Sequence, residues 1–442
     1  MSLQNLLPTS VWSTLSRQEQ SNALSRPAIE ESGLLATQVE NIINQVKEFG
    51  DKSLIDLTER FDGFKLESLK VSEQQIQSAI SSLSSQRLAA LETAYGQIKR
   101  FHQAQVNQDV EVETCKGVTC ILKTEAIEAV GLYIPAGSAP LPSTVLMLGV
   151  PAEIAGCPRK VLVSPPDNKG NVAPEVLAAA NLCGINEIYA VGGAQAIAAL
   201  AIGTESIPAV NKVFGPGNRF VTEAKSQLSQ QIPGFAIDMP AGPSEVLVIA
   251  DNDANADFVA ADLLSQAEHG EDSQVILLSD SKSMIERVRA ALSCQLAALP
   301  RAKIAKAALS KSRLILTDSL DMAIEVSNLY GPEHLIVQTK NPDSLVGQLR
   351  NAGSIFLGAY TPESAGDYAS GTNHVLPTYG YSKVVSSLSL ADFSRRYTVQ
   401  KITRQGLQNL APCIIELTDA EGLMAHQKAV TIRLNSTDCE AS

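Results

Sequence analysis

Two stretches decide how the chain reads. Lys160-Val-Leu-Val-Ser-Pro-Pro-Asp leads into Ala173-Pro-Glu-Val-Leu-Ala-Ala-Ala, and Glu245-Val-Leu-Val-Ile-Ala-Asp-Asn leads into Ala256-Asp-Phe-Val-Ala-Ala-Asp-Leu. Each is a short β-branched run, a polar turn and an Ala/Leu-rich segment, the pattern of a buried strand followed by a helix. The echo suggests two related α/β domains meeting at a cleft, where such folds place ligands. Two unrelated βα units share this composition as well.

Runs of the same texture recur from about residue 127, over 129–134, 187–191, 212–214, 274–278, 313–316, 334–338 and 354–357. Helical patterns lie between most of them, which predicts βαβ units and largely parallel sheets. Residues 1 to about 110 read as mainly helical, with apolar residues three and four apart over 29–49 and 73–105. From Leu388 the chain reads as helical again.

A chain of 442 residues exceeds one ordinary core, so two to four domains are expected. The formal charge of −12, with no basic stripe, argues against a nucleic-acid partner. Seven widely spaced cysteines (115, 120, 157, 183, 294, 413 and 439) without a Cys-x-x-Cys read as reduced thiols in a cytoplasmic setting. Cys115 and Cys120 lie close together but lack the second ligand pair that a zinc site needs. No secretory signal is read in residues 1–20. The uncharged stretch 129–152 carries Pro135, Pro140, Pro142 and Pro151, so it reads as a strand, a turn and a helix rather than a membrane span.

Two short motifs carry the chemistry, Ser265-Gln266-Ala267-Glu268-His269 and Gly331-Pro332-Glu333-His334. Gln266 and His269 are three apart at a predicted helix end, which places both on one face. An amide oxygen beside an imidazole suits a divalent cation, zinc foremost; on spacing alone a histidine that caps a helix is the commoner case. Asp367, in Ser364-Ala-Gly-Asp-Tyr-Ala-Ser-Gly, and His426 are candidates for further ligands. Glu333-His334, at the mouth of a strand, forms a ready acid/base pair if Gly331-Pro332 bends the chain; a loop histidine beside a solvated glutamate fits the same residues. His102 lies in a polar helical stretch and reads as a surface residue. His374 is open between loop packing and substrate contact. Glycine-rich turns at Val191-Gly-Gly-Ala-Gln195, Gly215-Pro-Gly-Asn218 and Pro240-Ala-Gly-Pro-Ser-Glu245 suit phosphate approach, but none is a full dinucleotide fingerprint.

Taken together the motifs resemble histidinol dehydrogenase. The resemblance runs from about residue 30 to 430, through Gly131-Leu-Tyr-Ile-Pro-Ala-Gly, Gly192-Gly-Ala-Gln-Ala-Ile-Ala-Ala-Leu, Phe214-Gly-Pro-Gly-Asn, Ile237-Asp-Met-Pro-Ala-Gly-Pro-Ser-Glu, Leu264-Ser-Gln-Ala-Glu-His-Gly, Tyr330-Gly-Pro-Glu-His and Ser370-Gly-Thr-Asn-His-Val-Leu-Pro-Thr. Ala136 stands where family members often have glycine.

The resemblance implies an α/β fold with two incomplete Rossmann-like domains and parallel-rich sheets, plus a helical N-terminal segment and a C-terminal helical tail. The expected division is 1–130 (helical segment, its later part packing with the second α/β domain), 131–243, 244–387 and 388–442. It implies a zinc ion in each subunit, held by Gln266, His269, Asp367 and His426. Glu333 and His334 would be catalytic, and Tyr133, Gln195 and Asn218 would contact NAD+. Ser244, Gln266, His269, His334, Asp367, Glu421 and His426 would meet the substrate. The implied reaction is oxidation of L-histidinol to L-histidine through the aldehyde with two NAD+, the end of histidine biosynthesis. The family is a cytoplasmic homodimer, and the tail carrying Glu421 and His426 would serve the partner's site. A zinc-dependent hydrolase in which Glu333 activates water is the competing reading, and a non-catalytic metabolite-binding protein a remoter one.

Overall fold

The computed structural model describes residues 7–27, 33–136, 140–239 and 242–436. The chain divides into two units, Met1–Gln105 with Ile127–Phe393, and Val106–Ala126 with Ser394–Ser442. It enters through a short strand, β1 (Thr9–Val11), and the helices Arg17–Ala23, Gly33–Asp62, Glu73–Ser82 and Ser85–Gln103. The hairpin β2 (Val110–Cys115) and β3 (Val118–Ala126) follows. Residues 29–32, where the first long helix was expected to start, lie outside the described residues.

The larger unit holds two parallel sheets. The first comprises β4 (Ala129–Tyr133), β5 (Arg159–Ser164), β6 (Glu187–Ala190), β7 (Lys212–Phe214) and β8 (Ala236–Ile237), in the order β6-β5-β4-β7-β8. The second comprises β9 (Glu245–Ala250), β10 (Gln274–Ser279), β11 (Arg313–Leu316), β12 (His334–Gln338) and β13 (Ser354–Leu357), with β1 added at the edge, in the order β1-β11-β10-β9-β12-β13. Counted from its own first strand, each sheet reads 3-2-1-4-5, the dinucleotide-binding order without its sixth strand. The expected α/β class with two incomplete Rossmann-like domains is the fold observed.

The echo that suggested the repeat, however, pairs strands that are not equivalent. Strand β5 is second in its sheet, whereas β9 is first; the true counterpart of β9 is β4. Every βα unit here alternates one buried strand with one Ala/Leu helix, so composition matches any unit to any other.

All six residues of β9 are buried, because helices cover both faces of the sheet. Val246 and Val248 pack with the helices Ala256–Ala267 and Lys282–Ala298, while Leu247 and Ile249 face the helix Leu320–Tyr330 and the arm residues Trp12 and Ala23. Each such aliphatic side chain contributes roughly 1.5–3 kcal/mol of burial. The arm thus covers the second sheet. The later N-terminal helices do the reverse of what was expected and pack with the first domain: Gly33–Asp62 lies on Gly193–Ile202 and Arg219–Gln231, and Ser85–Gln103 on Pro142–Ala155. Their buried stripe (Val39, Ile43, Val46) needs an apolar partner, and the first domain's outer helices supply it.

In the smaller unit β14 (Ser394–Ile402) pairs antiparallel with β3, and β3 with β2. The tail therefore begins with a strand, rich in β-branched and aromatic residues, and is helical only over Arg404–Ala420 and Met424–Asn435. Cys115 and Cys120 lie on the β2–β3 hairpin, and the six described cysteines are free; Cys439 lies outside the described residues. The uncharged stretch forms β4 and the helix Pro142–Ala155, and among the described residues no helix is long and apolar enough to cross a membrane.

Candidate active site

A cleft of about 1010 Å³ opens in the larger unit where the carboxyl ends of the first sheet meet the amino ends of the second. The first sheet contributes Pro135 beyond β4, Gly215–Asn218 beyond β7 and Asp238 beyond β8. The second contributes Ser244 before β9, Ser273 before β10, Lys311 before β11, and Glu333 and His334 at the start of β12.

Gly331 ends the helix Leu320–Tyr330 in the left-handed conformation (φ 67°), and β12 begins three residues on at His334. That turn brings both members of the Glu333-His334 pair to the cleft. Both are buried, at 6 % and 5 % exposure. Glu333 Oε2 accepts from the Glu245 N–H (2.8 Å), and His334 Nδ1 donates to the Glu245 carbonyl (3.1 Å). This bond leaves Nε2 as the free nitrogen; it has no hydrogen-bond partner and lies 3.5 Å from Asp367 Oδ1. Burial opposes a charge on His334, but Glu363, Glu333 and Asp367 around it hold it protonated well above the usual histidine range.

The donors that suit a cation converge beside this pair. Ligand atoms of His269, Glu363 and Asp367 lie within 4.8 Å of one another. His269 follows the end of the helix Ala256–Ala267, while Glu363 and Asp367 stand four apart on Glu363–Tyr368. Gln266 joins them: hydrogen bonding alone turns its amide nitrogen to Glu363 Oε1 and its oxygen to the Glu245 N–H (2.8 Å). Glu363 Oε2 is buried without a partner. Burial, together with the charges of Asp367, Glu333 and Asp262, pushes the Glu363 carboxyl up to about 8, with His334 opposing. An unpartnered buried carboxylate oxygen in an oxygen- and imidazole-rich group fits a divalent cation. Cys115 and Cys120 contribute to no such group among the described residues.

Across the cleft the Gly215-Pro-Gly loop is held by a buried ion pair. Lys225 Nζ donates to the Gly215 carbonyl (2.5 Å) and to Asp238 Oδ1 (2.8 Å), and the Gly215 N–H donates to Asp238 Oδ2 (2.7 Å). Gly215 has φ 124°, and a Cβ there would meet the Tyr133 carbonyl oxygen at 2.1 Å, so only glycine fits.

A family model for histidinol dehydrogenase matches residues 24–434. The chain belongs to the histidinol dehydrogenase family. It is 70% identical to a histidinol dehydrogenase of Colwellia psychrerythraea over 96% of this chain and 98% of that one. It is 57% identical to one from Vibrio parahaemolyticus, with 96% and 98% covered. The crystal structure of histidinol dehydrogenase from Elizabethkingia anophelis superposes with a TM-score of 0.94 at 47% identity, covering 97% of this chain and 98% of that one.

Of the residues that the histidinol dehydrogenase resemblance singled out, Ser244, Gln266, His269, Glu333, His334, Asp367 and Asn218 line the cleft. Asn218 also caps the helix Arg219–Gln231, its side chain accepting from the Phe220 and Val221 N–H groups (3.0 and 3.2 Å). Tyr133 and Gln195 are buried and are not among the lining residues; Tyr133 Oη accepts from the Gly193 N–H (3.2 Å), and burial pushes its hydroxyl up to about 12. Glu421 and His426 are exposed on the smaller unit. Pro240 and Ala241 of the third glycine-rich turn, and Gly137, lie outside the described residues.

His102, expected at the surface, is fully buried: Nδ1 donates to the Ile98 carbonyl (2.8 Å), and Nε2 lies 3.4 Å from Asn373 Nδ2. Its polar sequence neighbours concealed a one-sided helix whose inner face meets Pro142–Ala155. His374 lines the cleft with Nδ1 on the Asp367 carbonyl (2.9 Å), so it packs the loop and faces the site at once. Glu363 is the residue that sequence reasoning missed. Its only signal was the four-residue spacing to Asp367.

Proposed function

We propose that the protein oxidises L-histidinol to L-histidine through the aldehyde, as the NAD-dependent dehydrogenase that its family membership implies, in the cytoplasm and as a homodimer. The observation that carries the reading is the buried Glu333-His334 pair facing the His269, Glu363 and Asp367 donors in one cleft.

Gln266, His269 and Asp367 would hold a zinc ion, with His426 supplied by the partner's tail. A cation there supplies positive charge that orients the substrate and offsets the carboxylates that otherwise keep His334 protonated. NAD+, when bound near Tyr133, Gln195 and Asn218, supplies the hydride acceptor for each oxidation. His334, with its proton fixed on Nδ1, presents Nε2 as the base that takes the alcohol proton. Glu333, anchored through one oxygen, activates the water that hydrates the aldehyde. Ser244 and the partner's Glu421 would position the substrate. Burial of Glu333 and His334 in the cleft would favour completing both oxidations before the aldehyde leaves.

Incubation with L-histidinol, NAD+ and zinc is expected to yield two NADH per histidine. No NADH absorbance from zinc-replete protein would overturn the reading. For the tail, mixing His426→Ala with His334→Ala protein under subunit exchange is expected to restore part of the activity. No recovery despite verified exchange would assign both residues to one subunit's site.

A further inference from the structure

The acid/base pair is anchored from a strand 88 residues away in sequence. Both of its anchoring bonds go to the backbone of one residue, Glu245, at the first position of β9. The Glu245 side chain points the other way and meets Arg26, on the N-terminal arm. Arg26 Nε and Nη2 grip the two carboxylate oxygens at 2.5 and 3.0 Å, a bidentate fork that is 14 % exposed on the arginine side and 2 % on the glutamate side.

The same guanidinium does a second thing. Nη2 also donates to the Tyr330 and Gly331 carbonyls (3.0 and 3.1 Å), the two residues that lead into Pro332-Glu333-His334. Its Cζ lies 3.9 Å from the centre of the Tyr330 ring, whose hydroxyl donates to Gln274 Oε1 at 2.7 Å. One planar group therefore ties the start of β9, which orients the pair, to the turn before β12, which bears it. The two strands are register partners, His334 opposite Val246. Tyr379 closes the arrangement. Its N–H donates to Glu245 Oε1 (3.0 Å) and its hydroxyl to the Pro27 carbonyl beside Arg26, from a backbone with φ 58°, the single left-handed non-glycine among the described residues. A strained conformation of this kind persists where surrounding bonds over-determine it.

We infer that Arg26 is a positioning residue for catalysis: through the Glu245 carboxylate and the Tyr330–Gly331 carbonyls it fixes Glu333 and the Nδ1-protonated orientation of His334. The inference rests on the acid/base reading of that pair. A loss of Arg26 leaves Glu245 as a buried unpaired carboxylate and frees the turn, so the imidazole can rotate or hold its proton on the wrong nitrogen. Lysine offers charge but not the fork, so it replaces arginine only in part.

The test compares Arg26→Ala, Arg26→Lys, Glu245→Gln and Arg26→Ala/Glu245→Gln with Glu333→Gln and His334→Asn in zinc-loaded protein. Misplacement of a catalytic group by about 1 Å costs on the order of 100-fold. Arg26→Ala is therefore expected to lose roughly 10–100-fold in kcat, with the KM for NAD+ within about twofold and metal content unchanged. Guanidinium ion in the buffer is expected to restore part of kcat to Arg26→Ala and none to His334→Asn. The double variant is expected to be no worse than Arg26→Ala, since the Glu245 carboxylate acts on the turn only through Arg26. If Arg26→Ala does not fold, Arg26→Lys reads the same effect at smaller size. A kcat within twofold of wild type in the folded arginine variants, with Glu333→Gln and His334→Asn collapsed, overturns this inference alone. Full activity in Glu333→Gln and His334→Asn overturns the acid/base reading and this inference with it.

Discussion

Asp262→Asn should make the protein more stable at pH 8 and change little at pH 4. Asp262 is buried on the helix Ala256–Ala267, 6 % exposed, with a single described partner: Gln338 Nε2 donates to its Oδ2 at 2.7 Å. Burial raises its carboxyl from 3.8 to about 6, the Gln338 bond only partly opposing. Well below 3.8 the folded and unfolded chains both hold the proton. Between 3.8 and about 6 the folded chain keeps a proton that the unfolded chain has lost, so raising the pH costs stability. Above that window the penalty is complete. Two pH units at 1.36 kcal/mol each make it about 3 kcal/mol. Asparagine keeps the shape and the acceptor and removes the charge. Its amide also offers a donor to Gln338 Oε1, which is buried without a partner. The assay is urea unfolding of both proteins at pH 4, 6 and 8. A stability difference that does not grow with pH, or a less stable variant at pH 8, would refute the reasoning.

Three further outcomes are expected. Lys225→Met leaves Asp238 buried and unpaired under the Gly215 loop, at a cost of roughly 3–5 kcal/mol; the NAD+ dissociation constant should rise, and Lys225→Met/Asp238→Asn should recover most of it, as calorimetric titration would reveal. Glu333→Gln should cut overall turnover by roughly 10²–10⁴ yet permit one NADH per site in a single-turnover burst, because only the hydration step loses its base; a variant with no burst would contradict that division of labour. A chelator should abolish turnover while NAD+ binding, followed by nicotinamide-quenched fluorescence of the protein, survives; unchanged turnover after verified metal removal would count against a metal in the site.

Much of both sheets was legible because buried parallel strands are continuous apolar runs: each of the nine strand positions read between residues 129 and 357 coincides with an observed strand to within a residue or two. Strands without that texture were not. Strand β14 carries Arg395, Arg396 and Lys401 among its β-branched residues, and it owes its state to pairing with β3 rather than to a buried face. His102 failed for the opposite reason: its polar neighbours Lys99, Arg100 and Gln103 describe the outer face of a helix whose inner face is core. In the site, Gln266 with His269 and Glu333 with His334 were visible because each pair is local. Glu363 and Arg26 carried no comparable signal.

By itself, then, the sequence determined the α/β class and the two short motifs, since periodicity and spacing are properties of adjacent residues. It also determined family membership, because many ordered motifs coincide. Only the tertiary structure decided which strands are equivalent in the two domains and which domain the N-terminal helices pack on. It alone joined Arg26 to Glu245 across more than two hundred residues of chain. The physical reason is the same in each case. Burial and hydrogen-bond partnership belong to groups that meet in space, and nothing in a linear pattern records which buried carboxylate a distant guanidinium will find.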